Sequence, residues 1–271
     1  MKRKIFCYTA AQLQPYIDWS YFYHAWGIAP RDAESKPAQE TRNDAIKLLQ
    51  AAGDSIVAKA VFALCNAKGC DDNIIIEEHT TLPLLRQQHT RAGEANICLS
   101  DFVSPHGDSI GLFATTVCNI GEQKDSDDYK HLLTQTVASR LAEAAATLMH
   151  KEVRTNPELW GYAPDEQLTP EELNLEKYQG IRPAVGYPSL PDQSVIFIID
   201  KLLQLNEIGI GLTPNGAMQP HASVCGIMIS HPAARYFAVG NINQEQFADY
   251  ACRRGLPPDQ LHKFLFKNIA K

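Results

Sequence analysis

The stretch NICLSDFVSPHGDSIGLFATTV, residues 96–117, decides how the rest of the chain is read. Two apolar runs, Asn96–Phe102 and Ile110–Val117, flank the short loop SPHGD. Both carry β-branched or aromatic residues, and Pro105 and Gly107 mark a reversal between them. That spacing predicts a hairpin, and therefore antiparallel pairing. Working outward, Ile5–Tyr8, Ile56–Val61, Asn73–Glu77, Ala222–Ser230 and Tyr236–Val239 have the same character. These runs do not alternate with helices. The pattern favours an α+β fold with a largely antiparallel sheet over a doubly wound parallel one.

Helix signals are of a different kind. Gln39–Ala52 is rich in helix formers and stops at Gly53. Asp128–Val153 is the longest candidate, with Leu133, Val137, Leu141, Ala144, Ala145 and Leu148 on one stripe. Thr169-Pro170-Glu171-Glu172 has the form of a capping box with proline at the first helical position, and Gly180 is the expected stop. Asp192–Leu205 reads as helix with Gly209 near its end. Asn243 and Gln246 open another that Gly255 closes, and Pro257–Asn268 is a last short one.

The 271 residues carry a net charge of -6, which offers no general nucleic-acid-binding face. Seven cysteines at irregular spacings read as reduced thiols, most of them packed as small apolar residues. The C-x4-C pair Cys65–Cys70 has no partner pair for zinc. MKRKIFCYTAAQLQ imitates a signal peptide only briefly before Tyr8, Thr9 and Gln12 break it. No run approaches a membrane span. The expectation is a cytoplasmic protein, one domain over 1–271, with neither nucleic acid nor membrane as partner. No G-x-G-x-x-G follows a strand and no P-loop motif occurs.

Two stretches carry unusual chemistry. RPAVGYPSLPDQ, Arg182–Gln193, holds too much proline for a helix or a central strand. Pro183 biases Arg182 to extended backbone, leaving main-chain groups available to a ligand. Arg182 could clamp a carboxylate, Ala184 and Gly186 leave room for a flat ring, and Tyr187 offers a face and a hydroxyl. The same residues also suit a rigid structural turn whose arginine pairs with a nearby acid, and composition leaves both open. YIDWSYFYHAWG, Tyr16–Gly27, surrounds Asp18 with aromatics, which is costly for an acid without a partner. Glu143 falls opposite the apolar stripe of the long helix, a solvated position when taken alone. Tyr236 opens the last strand candidate. No catalytic triad and no general acid or base is legible.

Seven segments together resemble the AdoMet-binding activation domain of cobalamin-dependent methionine synthase. They are YIDWSYF, DDNIII with LPLLRQQ, NICLSDFVSP, DDYKHLLTQTVASRLAEA, LWGYAPDE, LTPEELNLEKYQGIRPAVGYPSLPDQ and SVCGIMISHPAARYFAVGNINQEQFADYACRRG. They occur in order over nearly the whole chain. The resemblance implies a single curved α+β domain with a central, largely antiparallel twisted sheet flanked by helices. It implies AdoMet in a shallow groove, with Arg182 on its carboxylate. Ala184 and Gly186 would make backbone contacts, Tyr187 completes the R-x-x-x-G-Y motif, and Asp18, Glu143 and Tyr236 are further contacts.

The implied activity is reductive methylation of cob(II)alamin to methylcobalamin, with the AdoMet methyl group and one electron from a flavodoxin-like donor. No catalytic side chain and no metal ligand is expected in this chain. The cobalamin signature D-x-H-x-x-G is absent, since none of the nine histidines has Asp two residues before it. Cobalamin is therefore expected on a separate methionine synthase chain. MQPHASVCGIMIS departs from the family: Gln219 and His221 stand where it has tryptophan and glycine, and Ile227 and Met228 replace an aromatic pair. Those changes keep two alternatives in view, a reactivation subunit for another corrinoid methyltransferase and an AdoMet-binding module without turnover.

Overall fold

The computed structural model describes residues 1–90, 93–118, 120 and 127–269. The elements are β1 (Lys2–Thr9), α1 (Ala10–Leu13), α2 (Trp19–Ala25), α3 (Lys36–Ala52), β2 (Ile56–Cys70), β3 (Asn73–Ile76), β4 (Thr80–Pro83), β5 (Asp108–Val117), α4 (Asp128–Thr155), α5 (Pro170–Asn174), α6 (Ile196–Leu203), β6 (Gly211–Leu212), β7 (Met218–Gln219), β8 (Ser223–Met228), α7 (Gln244–Arg254) and α8 (Pro258–Leu265). The main sheet runs β4-β3-β2-β5-β8, with β1 also paired to β2, and every pairing is antiparallel. The 15-residue β2 is long enough to take β1 along its first part and β3 along its last, so the sheet curls around it.

Both faces of this sheet are covered. Ala58, Ala60, Phe62 and Phe113 pack with α1–α4, while Val61, Ala63, Cys65, Leu112 and Ala114 pack with Ile196, Ile199 and Leu203 of α6. That double burial explains why β2 and β5 read as nearly continuous apolar runs without polar alternation. The helix α4 lies across the first face, and its second half is enclosed on most sides, including Ala142, Ala146, Met149 and Arg154. A third cluster, with Ile242, Tyr250, Leu261 and Leu265, joins α7 to α8.

The antiparallel sheet is present, but not through the hairpin at residues 96–117. β5 pairs with β2 and β8, and Asn96–Phe102 is not a strand; it forms a 3-10 turn at Leu99–Phe102. Arg86 is the cause. It donates to Asn96 O (2.9 Å), to both oxygens of Asp101 (2.6 and 2.7 Å) and to Asp72 (2.7 Å). Asp101 also accepts from the Cys98 amide, so these groups are withdrawn from any ladder. Tyr236–Val239 is likewise not a strand, because it bonds to the loop at Pro188 and Ser189. The capping box of α5 forms as the sequence suggests, yet the helix ends at Asn174, well before Gly180. The segment Asp192–Leu205 begins as a 3-10 turn and becomes α6 only at Ile196. All seven cysteines are free, but only Cys65, Cys98 and Cys225 are buried, so fewer than expected serve the core.

The proline-rich loop extends the sheet. Ile181 exchanges two backbone bonds with Ile229, Pro183 O accepts from the Ile227 amide (3.0 Å), and the Val185 amide donates to Cys225 O (2.8 Å). Residues 181–185 thus lie along the outer edge of β8 as an irregular strand. The approach depends on Gly226: a Cβ there would meet Pro183 O at 2.2 Å and Ala184 Cα at 2.8 Å. Gly226→Ala is expected to cost about 1–3 kcal/mol, as overpacking against backbone does. The urea midpoint reads it, and an unchanged midpoint would mean the loop is not fastened at this point.

Candidate ligand site

Strand-like alternation divides residues 181–185 into two sets. Ile181, Pro183 and Val185 spend their backbone groups on β8, and Arg182 and Ala184 turn theirs to the free edge. There the Arg182 amide donates to the Tyr236 hydroxyl (2.9 Å). The Arg182 carbonyl and the Ala184 amide have no hydrogen-bond partner among the described residues. These groups open on a cavity of about 480 Å3, a size typical of small-molecule sites.

The long helix supplies the opposite wall. Arg140, Glu143 and Thr147 fall on one helical face at i, i+3 and i+7, and all three line the cavity. The face opposite the apolar stripe is therefore a cavity wall rather than open solvent. Arg182 reaches across to it: Nη2 donates to Thr147 Oγ1 (2.9 Å), and Nη1 lies 3.6 Å from Glu143 Oε2. The Nε of Arg182 is buried with no hydrogen-bond partner among the described residues. The Tyr187 hydroxyl donates to Glu143 Oε1 (2.7 Å). Burial first, and then the Glu143 carboxylate, push the Tyr187 phenol above its ordinary range, so it remains a donor at neutral pH.

Asp18 enters from a third direction. It caps α2, with Oδ1 accepting from the Ser20 amide (2.9 Å) and the Ser20 hydroxyl (2.5 Å). Those bonds explain how an acid is tolerated between aromatics. Of the seven residues singled out from the sequence, Asp18, Glu143, Arg182, Ala184, Tyr187 and Tyr236 line the one cavity. Gly186 does not. Its amide donates to Leu190 O (2.8 Å), its φ is +84°, and a Cβ would meet Gln193 Oε1 at 2.6 Å. It makes the turn that aims Tyr187.

Several lining residues were not singled out: Tyr16, Tyr21, Arg140, Thr147, Glu176 and Tyr178. Tyr178 is the most consequential. Its hydroxyl bonds that of Tyr236 (2.9 Å), its ring carries the Arg154 guanidinium at 4.5 Å, and His150 meets it edge-on at 4.9 Å. Arg154 is fully buried and gripped by both oxygens of Glu166. A chain of contacts thus runs Glu166–Arg154–Tyr178–Tyr236–Arg182. Its only sign in the sequence is the aromatic-proline stretch WGYAPDE, which holds Glu166 and Tyr162.

His221, just past the Gln219 end of β7, lines a second cavity of about 220 Å3, which shares Arg140, Glu143, Ala184 and Tyr187 with the first. Gln219 and His221 are exposed, whereas Ile227 and Met228 are fully buried on opposite faces of β8. The latter pair repacks the core and leaves no mark on a surface.

The similarities to known proteins converge on this architecture. A crystal structure described as the MetH reactivation domain bound to AdoHcy superposes with a TM-score of 0.90 at 36% identity, covering 100% of this chain and 91% of that one. The sequence model of the vitamin B12 dependent methionine synthase activation domain matches residues 9–255. The chain belongs to that activation-domain family.

The wall behind the site holds a buried histidine. His150 is fully buried, and burial first, then the Arg154 and Arg182 charges, hold its pKa well below the ordinary value. Its Nε2 bonds the Tyr162 hydroxyl (3.0 Å) and its Nδ1 has no hydrogen-bond partner among the described residues. The folded protein keeps this imidazole neutral while the unfolded chain protonates it near pH 6.5, so its stabilising contribution is present above that pH and lost below it. Unfolding free energy is expected to fall by about 1.4 kcal/mol per pH unit below pH 6.5 from this group. His150→Gln should flatten that limb in urea titrations at pH 7.5 and 5.5. An equal slope in both proteins would remove His150 as its source.

Proposed function

We propose that this cavity binds S-adenosylmethionine and that the chain, as one activation domain over 1–271, serves a separate cobalamin-dependent methionine synthase chain in the cytoplasm. The observation that carries the reading is the set of unsatisfied groups on two residues that line one cavity: Arg182 Nε, the Arg182 carbonyl and the Ala184 amide. A carboxylate fits the buried guanidinium donor, and a heterocycle edge fits the exposed backbone edge. Asp18 and Glu143 supply negative charge for a ligand with a sulfonium and an ammonium. Tyr187 and Tyr236, both kept protonated, hold Glu143 and the Arg182 backbone in place. Family membership and the AdoHcy bound to the similar reactivation domain agree with this choice of ligand.

When bound, AdoMet would supply an electrophilic methyl group to the reduced cobalt of the partner's cobalamin, giving methylcobalamin with one electron from a flavodoxin-like donor. The residues of this chain do no proton transfer in that account. They orient the donor, keep its carboxylate and ammonium engaged, and leave the methyl side to the partner. Exposed Gln219 and His221, the latter lining the second cavity, favour a variant of the same reading, in which the cobalamin-carrying partner is another corrinoid methyltransferase.

Two experiments test this. Arg182→Ala should lose about 1–3 kcal/mol of AdoMet binding by calorimetry, the range for a charge-assisted hydrogen bond, and an unchanged affinity would sink the site. Incubating the protein with AdoMet, a reductant and a cobalamin-loaded methionine synthase lacking its own activation domain should convert the cob(II)alamin spectrum to that of methylcobalamin. No acceleration over the same mixture without the protein would defeat the proposed activity.

A further inference from the structure

The proline-rich loop has a cavity on each side of it. Tyr187, Pro188 and Ser189 line the main cavity, whereas Gly186, Pro191 and Gln193 line another of about 490 Å3. This further cavity shares no lining residue with the two described above. Its other walls come from the end of α8 and from the tip of the β6–β7 hairpin.

Its charge is one-sided. Lys263 of α8 and Lys267, four residues on, share the wall. Both are exposed, and neither makes a hydrogen bond or an ion pair with a described residue. Asp259, one turn before Lys263, does not pair with it. No acid lines the cavity among the described residues, in a chain with 31 acids to 25 bases. The helix dipole favours a cation in a last turn, which suits Lys263, but Lys267 lies two residues beyond the helix.

Between the two lysines stand aromatic rings. Phe266 is 59% exposed, yet it does not sit on a loose chain end. The Asn268 amide donates to Leu265 O (2.8 Å), its carbonyl accepts from the Ile242 amide (2.7 Å), and its side chain donates to Gly240 O (3.0 Å). Phe264 is held edge-on by Phe197, with ring centres 6.5 Å apart. The Lys267 ammonium lies 5.8 Å from the centre of the Phe266 ring. An exposed phenylalanine or an exposed lysine is ordinary alone. Two unpaired cations and an open ring on one cavity wall, fastened by the Asn268 bonds, have no internal use.

We propose that this cavity binds a small anion with a flat aromatic part, of which an aryl phosphate is the simplest form. The anionic group sits between Lys263 and Lys267, and the ring lies on Phe266. Lysines serve a phosphate as point charges, and an aromatic face takes a second ring by stacking. An aliphatic anion would leave Phe266 unused, and an uncharged ring would leave both ammonium groups unused, so the two parts belong to one ligand.

The probe is 1-naphthyl phosphate, titrated into the whole chain by calorimetry, with 1-naphthol and inorganic phosphate as its separate halves. Wild type should bind the probe about tenfold or more tighter than either half. Lys263→Gln with Lys267→Gln should weaken it about tenfold, and Phe266→Ala about threefold. All three positions are exposed, so both variants should melt as wild type does. Lys36→Gln with Lys47→Gln removes the same charge from α3, across the sheet, and should bind as wild type. No binding of the probe, unchanged binding in either cavity variant, or an equal loss in the α3 variant would overturn the assignment.

Discussion

The hydrogen bonds that lay Ile181–Val185 along the edge of β8 set the position of nearly every polar group in the cavity. They exist because Gly226 has no side chain, which lets two backbones approach closer than any Cβ permits. Once odd-numbered residues are spent on β8, the alternation of an extended chain obliges Arg182 and Ala184 to face the other way. Their side chains then meet α4 and their backbone edge meets the cavity. Pro183 supports this arrangement, having no N–H to leave unsatisfied and disfavouring a helical Arg182.

The charge at the centre is costly to hold and is held from several sides. Arg182 is largely but not fully buried, its guanidinium bonded to Thr147 and approached by Glu143, and its amide fixed by Tyr236. Behind it, Tyr236 leans on Tyr178, which stacks on an arginine that is itself neutralised by Glu166. A buried cation is tolerable only with such partners. The result is a cavity wall of fixed charges that keeps spare hydrogen-bonding groups. That suits a step in which alignment of donor and acceptor is the protein's task.

How much of this could be read from the sequence depended on the range of the interaction. Most local signals held: the Asn243 cap and Gly255 stop of α7, the Gly53 stop of α3, and the extent of α4 all follow from neighbouring residues, whereas the Gly180 stop of α5 did not. The hairpin at residues 96–117 misled because Arg86, ten or more positions upstream, claims Asn96 and Asp101 for a turn. The antiparallel character was right for a different reason, the pairing of β5 with the distant β2. Tyr236–Val239 has strand composition but bonds to a loop, not to a sheet edge. The loop at Arg182–Gln193 remained open between structural turn and ligand cradle. In the structure its odd residues from Ile181 to Val185 are bonded to β8, and Arg182 and Ala184 line the cavity. Gly186 does not line that cavity and makes the turn before Tyr187. The missed residue with the most contacts, Tyr178, carries no local signature, because its place comes from what it touches across the fold.

The most direct measurement is a crystal structure of this chain with AdoHcy. The account predicts the amino-acid carboxylate on the Arg182 guanidinium, the nucleoside along the Arg182–Ala184 backbone edge, and the Ala184 amide within hydrogen-bond distance of the ligand. A ligand bound elsewhere on the chain, or one whose carboxylate leaves Arg182 Nε without a partner, would contradict it.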